Sequence, residues 1–395
     1  MHAVLGGIWS AVYKEGSAST RSPLRRVPSL SLDDRNALRS VDKSDMLGLL
    51  DNWPGMFDDA LMLVDDFVLP REYRGADLIV IAGVGGSAVA GDLALAWLSS
   101  DLKIPTVICR DYVLPAFVTS KSVVVTVSFS GETEETLSCF VEARQRKARL
   151  VALSTGGRLE KYAKQAGVPH LKISGKMPPR MGLPYLFAGV AKILAACLEN
   201  NRSEELKTLP NFLAKLREQY GAGSGTMRND AKRLALKVQG HLPIVYAYPP
   251  FSAVAMRWKC EFNENGKMPC KWEVFPELKH NEVAGWMRER SGAGFVGLLL
   301  RDSKESDVVG ADVENLKRYA LEGKLDEILE FRSQGGSLVE RLFSLIYLGE
   351  YASVYLGVMN GVDPSRIDVI RRLKEELRRQ TRIHEKLDAS AGIHV

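Results

Sequence analysis

The chain has few cysteines and few histidines for its length. Among 395 residues there are five cysteines and six histidines, and no cysteines form a Cys-x-x-Cys pair. An odd number of scattered cysteines is typical of reduced thiols in a cytoplasmic protein, and the common zinc-binding spacings are excluded. The sequence therefore predicts a cytoplasmic protein without a disulfide framework and without a metal.

Long apolar runs and a strong net charge are also missing. No apolar run approaches the roughly 20 residues that span a bilayer, and no basic residue precedes the fairly apolar residues 1–12 as in a secretory signal. The net charge of +5 is mild, which suits anionic small molecules and gives no support for nucleic-acid binding. We therefore expect neither a membrane partner nor a nucleic-acid partner.

The length allows two domains and terminal tails. Residues 16–31 are rich in Ser, Arg and Pro and contain no acidic residue, which predicts a disordered tail, with a partner-docking arm as the alternative. The predicted organisation is a disordered extension (1–42), a first domain (43–204), a second domain (205–376) and a helical tail (377–395).

Apolar β-branched runs alternate with helical segments along the chain. Such alternation predicts parallel βαβ units with right-handed crossovers, and hence an α/β fold with doubly wound sheets. The candidate strands are residues 77–82, 104–109, 123–127, 150–154, 170–173, 243–248, 295–300 and 328–331. The helices predicted in the second half are residues 254–261, 313–321, 338–358 and 367–387.

A hydroxyl-rich loop follows the third predicted strand and reads SFSGETEET at residues 128–136. A strand, a polar loop and a helix N-terminus form an anion site, because backbone N–H groups and the helix dipole point at the loop. Ser128, Ser130 and Thr133 can donate to phosphate oxygens, and Gly131 permits close approach of the backbone. Three glutamates and the lack of a Walker lysine favour a small phosphorylated molecule over a nucleotide triphosphate. An ordinary helix cap is the alternative interpretation.

A glycine-rich loop, GVGGSA at residues 83–88, follows the first predicted strand. Its spacing matches a dinucleotide-binding fingerprint. The acidic residue expected about 20 positions further on is not clearly present, because the second predicted strand is followed by Arg110 and Asp111. Gly85, Gly86 and Ser87 can instead present amides and a hydroxyl to a smaller ligand. Because ligand loops gather at the carboxyl ends of parallel strands, this loop and the one at Ser128 can face one cleft. A nicotinamide-dependent oxidoreductase remains an alternative.

Two polar segments of the second half carry groups suited to proton transfer, FNENGK at residues 262–267 and FPELKHNE at residues 275–282. A carboxylate and an imidazole are the parts needed to move protons at neutral pH. Glu264 and His280 are the candidates. The glutamates that compete for the carboxylate role are Glu261, Glu273 and Glu277.

Together these motifs resemble the bifunctional phosphoglucose/phosphomannose isomerases of the sugar isomerase (SIS) domain superfamily. They occur in the right order, and the resemblance spans roughly residues 43 to 376. Two further segments, PPR at residues 178–180 and DPSRI at residues 363–367, contribute to it. The glycine loops are common to many SIS proteins, whereas the Asn-Glu-Asn and His-Asn-Glu segments are more discriminating.

The resemblance implies two SIS domains of the flavodoxin-like, doubly wound type with a C-terminal helix, no cofactor, and a homodimer. The active site is then expected at domain and subunit boundaries. The matching phosphate-binding residues are Ser128, Ser130 and Thr133, and the residues facing the sugar are Gly85, Gly86 and Ser87. The matching catalytic residues are Arg180, Glu264, His280 and Lys374.

The roles implied for the catalytic residues follow from aldose–ketose interconversion. Glu264 is expected to shuttle a proton between C1 and C2, and Arg180 to steady the cis-enediolate oxygen. His280, reaching over from the neighbouring subunit, and Lys374 are expected to open the sugar ring. Arg371 lies one helical turn before Lys374, so a small alignment shift would exchange these two residues.

The implied activity interconverts glucose 6-phosphate and mannose 6-phosphate with fructose 6-phosphate, without a metal. A non-catalytic SIS module that senses a sugar phosphate is the alternative. Such a module would need only the phosphate loop, so the presence of Glu264 and His280 argues against it. The segment before residue 43 has no counterpart in the family, and the tail after about residue 376 is longer than the resemblance leads us to expect.

Overall fold

The computed structural model describes residues 31–199, 202–287 and 294–392. Most of the predicted N-terminal extension, residues 1–30, lies outside these ranges. Its remainder differs from the expected disorder, because a helix (α1) runs from Arg35 to Val41 and buries Leu38. Asp34 caps this helix by accepting from two backbone N–H groups, which satisfies donors that a short helix would otherwise leave open.

The first half of the chain forms a five-stranded parallel sheet. Its order, β2-β1-β3-β4-β5, is the flavodoxin-like order. The strands are β1 (Ile79–Ala82), β2 (Thr106–Cys109), β3 (Val123–Val127), β4 (Arg149–Ser154) and β5 (His170–Lys172). The helices after α1 are α2 (Met46–Asp51), α3 (Trp53–Asp65), α4 (Gly86–Leu98), α5 (Glu134–Gln145), α6 (Gly157–Ala166) and α7 (Leu183–Leu198).

The second half forms a four-stranded parallel sheet of order β7-β6-β8-β9. Its strands are β6 (Leu242–Ala247), β7 (Lys271–Val274), β8 (Phe295–Arg301) and β9 (Glu327–Arg332). Its helices are α8 (Ser203–Leu206), α9 (Leu209–Tyr220), α10 (Asp230–Val238), α11 (Ser252–Glu264), α12 (Asp307–Leu316), α13 (Leu338–Met359), α14 (Asp368–Thr381) and α15 (Ile383–Ala391). The predicted α/β class with two doubly wound parallel sheets is therefore confirmed.

The sequence pattern did not predict strand β7. It lies at the edge of the second sheet, pairs only with β6 among the described strands, and reads Lys-Trp-Glu-Val. An edge strand with one solvated face needs few apolar residues, so its charged positions masked the signal.

Two long apolar helices form the centre of the molecule. The stretch Pro179–Leu198, which includes α7, and helix α13 are both long and apolar enough to cross a membrane, but 78% and 100% of their apolar windows are buried in the fold. A helix that is apolar on all sides is stable when packed in a core. Phe343 of α13 packs its ring 5.1 Å from Phe57 and 4.9 Å from Phe187, which joins the two halves in one hydrophobic core.

The C-terminal segment contains two helices where the sequence predicted one. Arg382 takes a left-handed φ of 51° and separates α14 from α15. The described α14 buries none of its residues, in agreement with the solvated helix expected there. Helix α15 turns back onto α5 and buries Asp388 and Ala391. The tail thus packs against the first sheet's domain.

Candidate active site

The glycine loop lies at the carboxyl end of β1, beside the point where the order of the first sheet reverses. This is where ligands bind in open α/β sheets. Gly85 has a φ of 57°, and a Cβ on Gly83 would lie 2.8 Å from the Val127 carbonyl oxygen, so both positions require glycine. Ser87 is buried and its hydroxyl accepts from the Phe129 N–H at 3.2 Å. The structure therefore brings the two predicted ligand loops together.

The Ser128 loop connects β3 to the N-terminus of α5. Ser128 is buried, its hydroxyl donates to Thr133 Oγ1 at 2.8 Å, and it accepts from the Gly131 N–H at 3.0 Å. Because Thr133 accepts that bond, its own hydroxyl proton can be donated to a ligand. The Thr133 side chain makes no capping hydrogen bond to α5, although it holds the N-cap position. Ser130 is exposed. This geometry favours the anion-site interpretation over a helix cap.

The loop is seated on the start of α6. Gly131 has a φ of 70°, and a Cβ there would lie 1.9 Å from the Gly156 carbonyl oxygen. The Thr155 N–H donates to the Phe129 carbonyl at 2.9 Å, and the Leu159 N–H donates to the Gly131 carbonyl at 3.0 Å. These backbone contacts fix the shape of the loop.

Arg180 is buried with its guanidinium held by two acceptors. Its Nε donates to Asn265 Oδ1 at 2.6 Å, and its Nη2 donates to the Pro364 carbonyl at 2.6 Å. Its Nη1 lies 3.6 Å from Glu264 Oε2. Next to it, Gly182 leaves room for the Phe129 ring, which would lie 2.1 Å from a Cβ. Arg180 therefore links the Ser128 loop to the second half of the chain.

Glu264 ends helix α11 with its side chain 32% exposed. Among the four candidate glutamates it alone faces Arg180 from an accessible position. Glu261 is buried in an ion pair, Glu273 pairs with Lys271 at 3.1 Å, and Glu277 accepts from Asn281 at 3.1 Å in an exposed turn. Of the four glutamates, Glu264 is therefore the accessible carboxylate that lies beside Arg180.

A buried cluster of charged side chains lies behind Arg180, and the sequence motifs did not predict it. Arg257 lies 2.9 Å from Glu261 and 2.6 Å from Glu350 of α13, and its Nη2 donates to the Arg180 carbonyl at 2.8 Å. Burial raises the pKa of both carboxyls, since one guanidinium compensates only one carboxylate. The i,i+4 spacing of Arg257 and Glu261 on an otherwise apolar helix face was the available signal.

Lys267 follows α11 and contacts the backbone on both sides of the Glu264–Arg180 pair. It has a φ of 55°, and its ammonium donates to the carbonyls of Glu264, Pro364 and Arg366. Lys267 thereby ties the end of α11 to the segment after α13. That segment is the DPSRI motif, which the structure brings to Arg180 through Pro364.

The structure does not bring His280 or Lys374 to these residues. His280 is exposed in a short turn after the edge strand β7, and Lys374 is exposed on α14. Neither side chain makes a hydrogen bond or ion pair to the described residues. Arg371, the alternative to Lys374, is held by Asp368 at 2.8 Å on the surface of the same helix.

Cavity size alone does not locate this site. A groove of about 880 Å³ lies between α3 and α7, lined largely by apolar side chains, and none of the predicted site residues lines it. Within the described part of the chain, no group of three His, Cys, Asp or Glu side chains is placed to hold a metal ion.

Comparison with known proteins agrees with this geometry. Residues 227–377 match the family model described as the bacterial phospho-glucose isomerase C-terminal SIS domain. A bifunctional phosphoglucose/phosphomannose isomerase from Caldicellulosiruptor bescii is 35% identical over 328 residues, covering 82% of this chain and 97% of that protein. The chain belongs to the bifunctional phosphoglucose/phosphomannose isomerase family. A second family member, from Aquifex aeolicus, is 32% identical and is aligned over 78% of this chain and 91% of its own length.

Solved structures agree with the fold of this isomerase family member. A glucose-6-phosphate isomerase like protein from Thermus thermophilus superposes with a TM-score of 0.58 at 19% identity. The superposition covers 87% of this chain and 99% of that chain, and at this identity the likeness shows the fold alone.

Proposed function

We propose that the protein is an aldose–ketose isomerase that interconverts glucose 6-phosphate and mannose 6-phosphate with fructose 6-phosphate. The observation that carries this proposal is the position of the Glu264 carboxylate, 3.6 Å from the Arg180 guanidinium. Arg180 is two residues before Gly182, which packs against Phe129 of the Ser128 loop. Family members named bifunctional phosphoglucose/phosphomannose isomerase support the same substrates. The reaction uses protein side chains alone and takes place in the cytoplasm.

The Ser128 loop binds the phosphate group of the substrate. The exposed Ser130 and the half-buried Thr133 donate their hydroxyls, while Ser128 orients Thr133. The N-terminus of α5 contributes its dipole. Gly85 and Gly86 let the sugar approach the carboxyl end of β1, and Ser87 fixes this loop to the phosphate loop. Anchoring at the phosphate holds the carbon chain so that one base can reach two adjacent carbons.

Glu264 transfers the proton between the two carbons. With the ring open, its carboxylate removes the proton alpha to the carbonyl, a cis-enediolate forms, and the proton returns to the neighbouring carbon. Two nitrogens of Arg180 are held by Asn265 and Pro364, so the third is directed at Glu264 and at the developing oxygen charge. Because the enediolate has lost the configuration at C2, both epimers pass through it.

Ring opening is assigned to His280 and Lys374 in a homodimer. Both side chains are exposed in one chain, and His280 would reach the site from the partner subunit. A sugar-phosphate sensor without catalysis is the second candidate function. The buried support around Arg180 and Glu264 argues against it, because phosphate binding alone needs neither residue.

The test replaces the proposed base and follows both products. We expect Glu264→Gln to lower turnover of fructose 6-phosphate by at least about 100-fold, since a positioned general base contributes roughly 10²- to 10⁴-fold. A coupled assay measures glucose 6-phosphate and mannose 6-phosphate separately. Fructose 6-phosphate should still raise the melting temperature of the variant, because ligand binding stabilises the native state.

Glu204→Gln is the matched control, because Glu204 is an exposed glutamate of α8 that pairs with Lys207 and has no part in the proposed site. It should leave turnover unchanged. Retained activity in Glu264→Gln would remove Glu264 from its role, and an inactive wild-type protein that still binds fructose 6-phosphate would favour the sensor.

A further inference from the structure

Two of the three glutamates in the phosphate loop at residues 128–136 lie next to Thr133, where an uncompensated negative charge would repel a phosphate group. Glu132 and Glu134 flank Thr133 on both sides, and Glu134 is the first residue of α5. Repulsion between like charges a few ångströms apart is strong where solvent is partly excluded. A loop of this sequence therefore needs cations from elsewhere in the chain.

The C-terminal segment supplies the cation for Glu134. The Glu134 side chain is 2% exposed, forms an ion pair with Arg378 near the end of α14, and lies 3.3 Å from His384 Nε2 of α15. His384 Nε2 also lies 3.2 Å from the Glu132 carbonyl. Burial acts to raise the pKa of Glu134, but the hydrogen bond and charge of Arg378, a backbone hydrogen bond and the nearby His384 together outweigh burial and hold that pKa below its usual value. Glu134 is thus an ionised group whose charge is met by the tail.

Helix α15 also holds the cation for Glu132. Arg158 pairs with Glu132 and donates its Nε to both carboxylate oxygens of Asp388 at 3.1 Å. Asp388 is buried and accepts from the Tyr162 hydroxyl at 2.8 Å. Asp388 therefore positions Arg158 against the loop.

We propose that residues 378–391 form a clasp that completes the phosphate-binding loop, with Arg378 as the positioning residue that neutralises Glu134. The ligand class is a phosphate monoester, and the inference rests on the proposed function for the identity of that ligand. The match to the family's C-terminal domain ends at residue 377, so the clasp lies just beyond it. Arg378 acts through Glu134 and does not touch the reacting atoms.

Arg378→Met tests the clasp. We expect the KM for fructose 6-phosphate and the inhibition constant of inorganic phosphate to rise about tenfold, equivalent to ~1.4 kcal/mol, while kcat changes little. The reason is that Glu134 then lies beside the phosphate without its arginine partner. Raising the salt concentration should shrink the difference, because screening weakens charge repulsion.

The second variant, Arg378→Met with Glu134→Gln, separates charge from structure. Removing the Glu134 carboxylate should restore the KM and the phosphate inhibition constant to within about twofold of wild type. Arg379→Met is the matched control, since Arg379 lies on the same helix, is 73% exposed and pairs only with Glu376 among the described residues. It should leave both constants unchanged.

Binding without turnover distinguishes failure of the clasp from failure of the isomerase assignment. Protection of the Glu264→Gln protein by inorganic phosphate in thermal melts measures the loop alone. Loss of that protection on adding Arg378→Met supports the clasp even if no isomerase activity exists. Unchanged phosphate affinity in Arg378→Met, or a loss that Glu134→Gln does not restore, overturns it.

Discussion

At the scale of single residues, Lys267 is charged in a place that disfavours charge. Burial, with Arg180 nearby, lowers its pKa from the ordinary 10.5 to about 8. Its ammonium is held by three carbonyls, which compensates only part of the desolvation. Lys267 therefore connects the residues of the site, but its burial as a charged group lowers the free energy of unfolding at neutral pH.

A pH dependence of stability follows for Lys267. Between about pH 8 and pH 10.5 the unfolded chain keeps a proton that the folded chain has lost, so stability rises with pH. Relative to Lys267→Met, the free energy of unfolding of the wild type should increase from about pH 7.5 to about pH 9.5. The slope is below ~1.4 kcal/mol per pH unit, because the ammonium is partly solvated. Urea titrations at each pH measure it.

Lys317→Met serves as the comparison for this pH series. Ion pairs with Glu330 and Glu314 raise the pKa of Lys317, so its removal should not alter the pH slope over the same range. Parallel pH curves for wild type and Lys267→Met would contradict the expectation.

Residue types predicted the candidate site only in part. Arg180 and Glu264 were predicted from their motifs, and the structure brings them together. Arg257 and Lys267 were not predicted, since nothing local marks a lysine whose acceptors include carbonyls 97 and 99 positions away. Long-range contacts of this kind have no periodic signature.

At the scale of elements, the loop after β3 depends on the backbone freedom of one glycine. Gly131→Ala should lower the free energy of unfolding by ~2–4 kcal/mol, because its positive φ strains an L-residue. The new Cβ would also overlap the Gly156 carbonyl. Urea unfolding measures the stability, and protection by inorganic phosphate should fall in the same variant.

Gly167→Ala separates strain from overlap. Gly167 has a similar φ of 65°, but a Cβ there meets nothing within 4 Å. It should cost only about 1 kcal/mol and leave phosphate protection intact. Equal losses in the two variants would show that the contact with Gly156 does not shape the loop.

Elements were predicted best where burial is uniform. The buried strands of both sheets and α13 were predicted within a residue or two, because their apolar runs are long and local. The half-solvated edge strand β7 was not predicted. Nor was the break at Arg382, which has no proline or glycine to mark it. The break accompanies the packing of α15 on α5. A local sequence pattern cannot predict such a long-range contact.

At the scale of the whole molecule, we propose that a second copy of the chain completes the site. Glu264→Gln and His280→Gln are each expected to be nearly inactive. If His280 acts across the dimer, a mixed dimer has one site in which both residues are intact. Random exchange of subunits should then restore about a quarter of the wild-type activity. The measurement is an isomerase assay after mixing equal amounts of the two variants.

Exchange of subunits must be checked with a tagged copy, by purifying mixed dimers on the tag. Mixed dimers without recovered activity would show that His280 does not act from the partner. The Glu264→Gln protein mixed with Glu264→Gln/His280→Gln is the negative control, since no arrangement of these chains restores a site.

The sequence by itself determined the alternation of strands and helices, the two glycine-containing ligand loops and the family. These features are local, because strand pleat, helix period and glycine conformations act over a few residues. Only the tertiary structure decided which of four glutamates faces Arg180, how Arg257 and Lys267 support the pair, and where the acidic loop finds its cations. Among those contacts, Arg257 donates to the Arg180 carbonyl 77 positions away, and Arg378 pairs with Glu134 244 positions away. A linear pattern does not encode pairing over such separations, because folding and burial decide which distant residues meet.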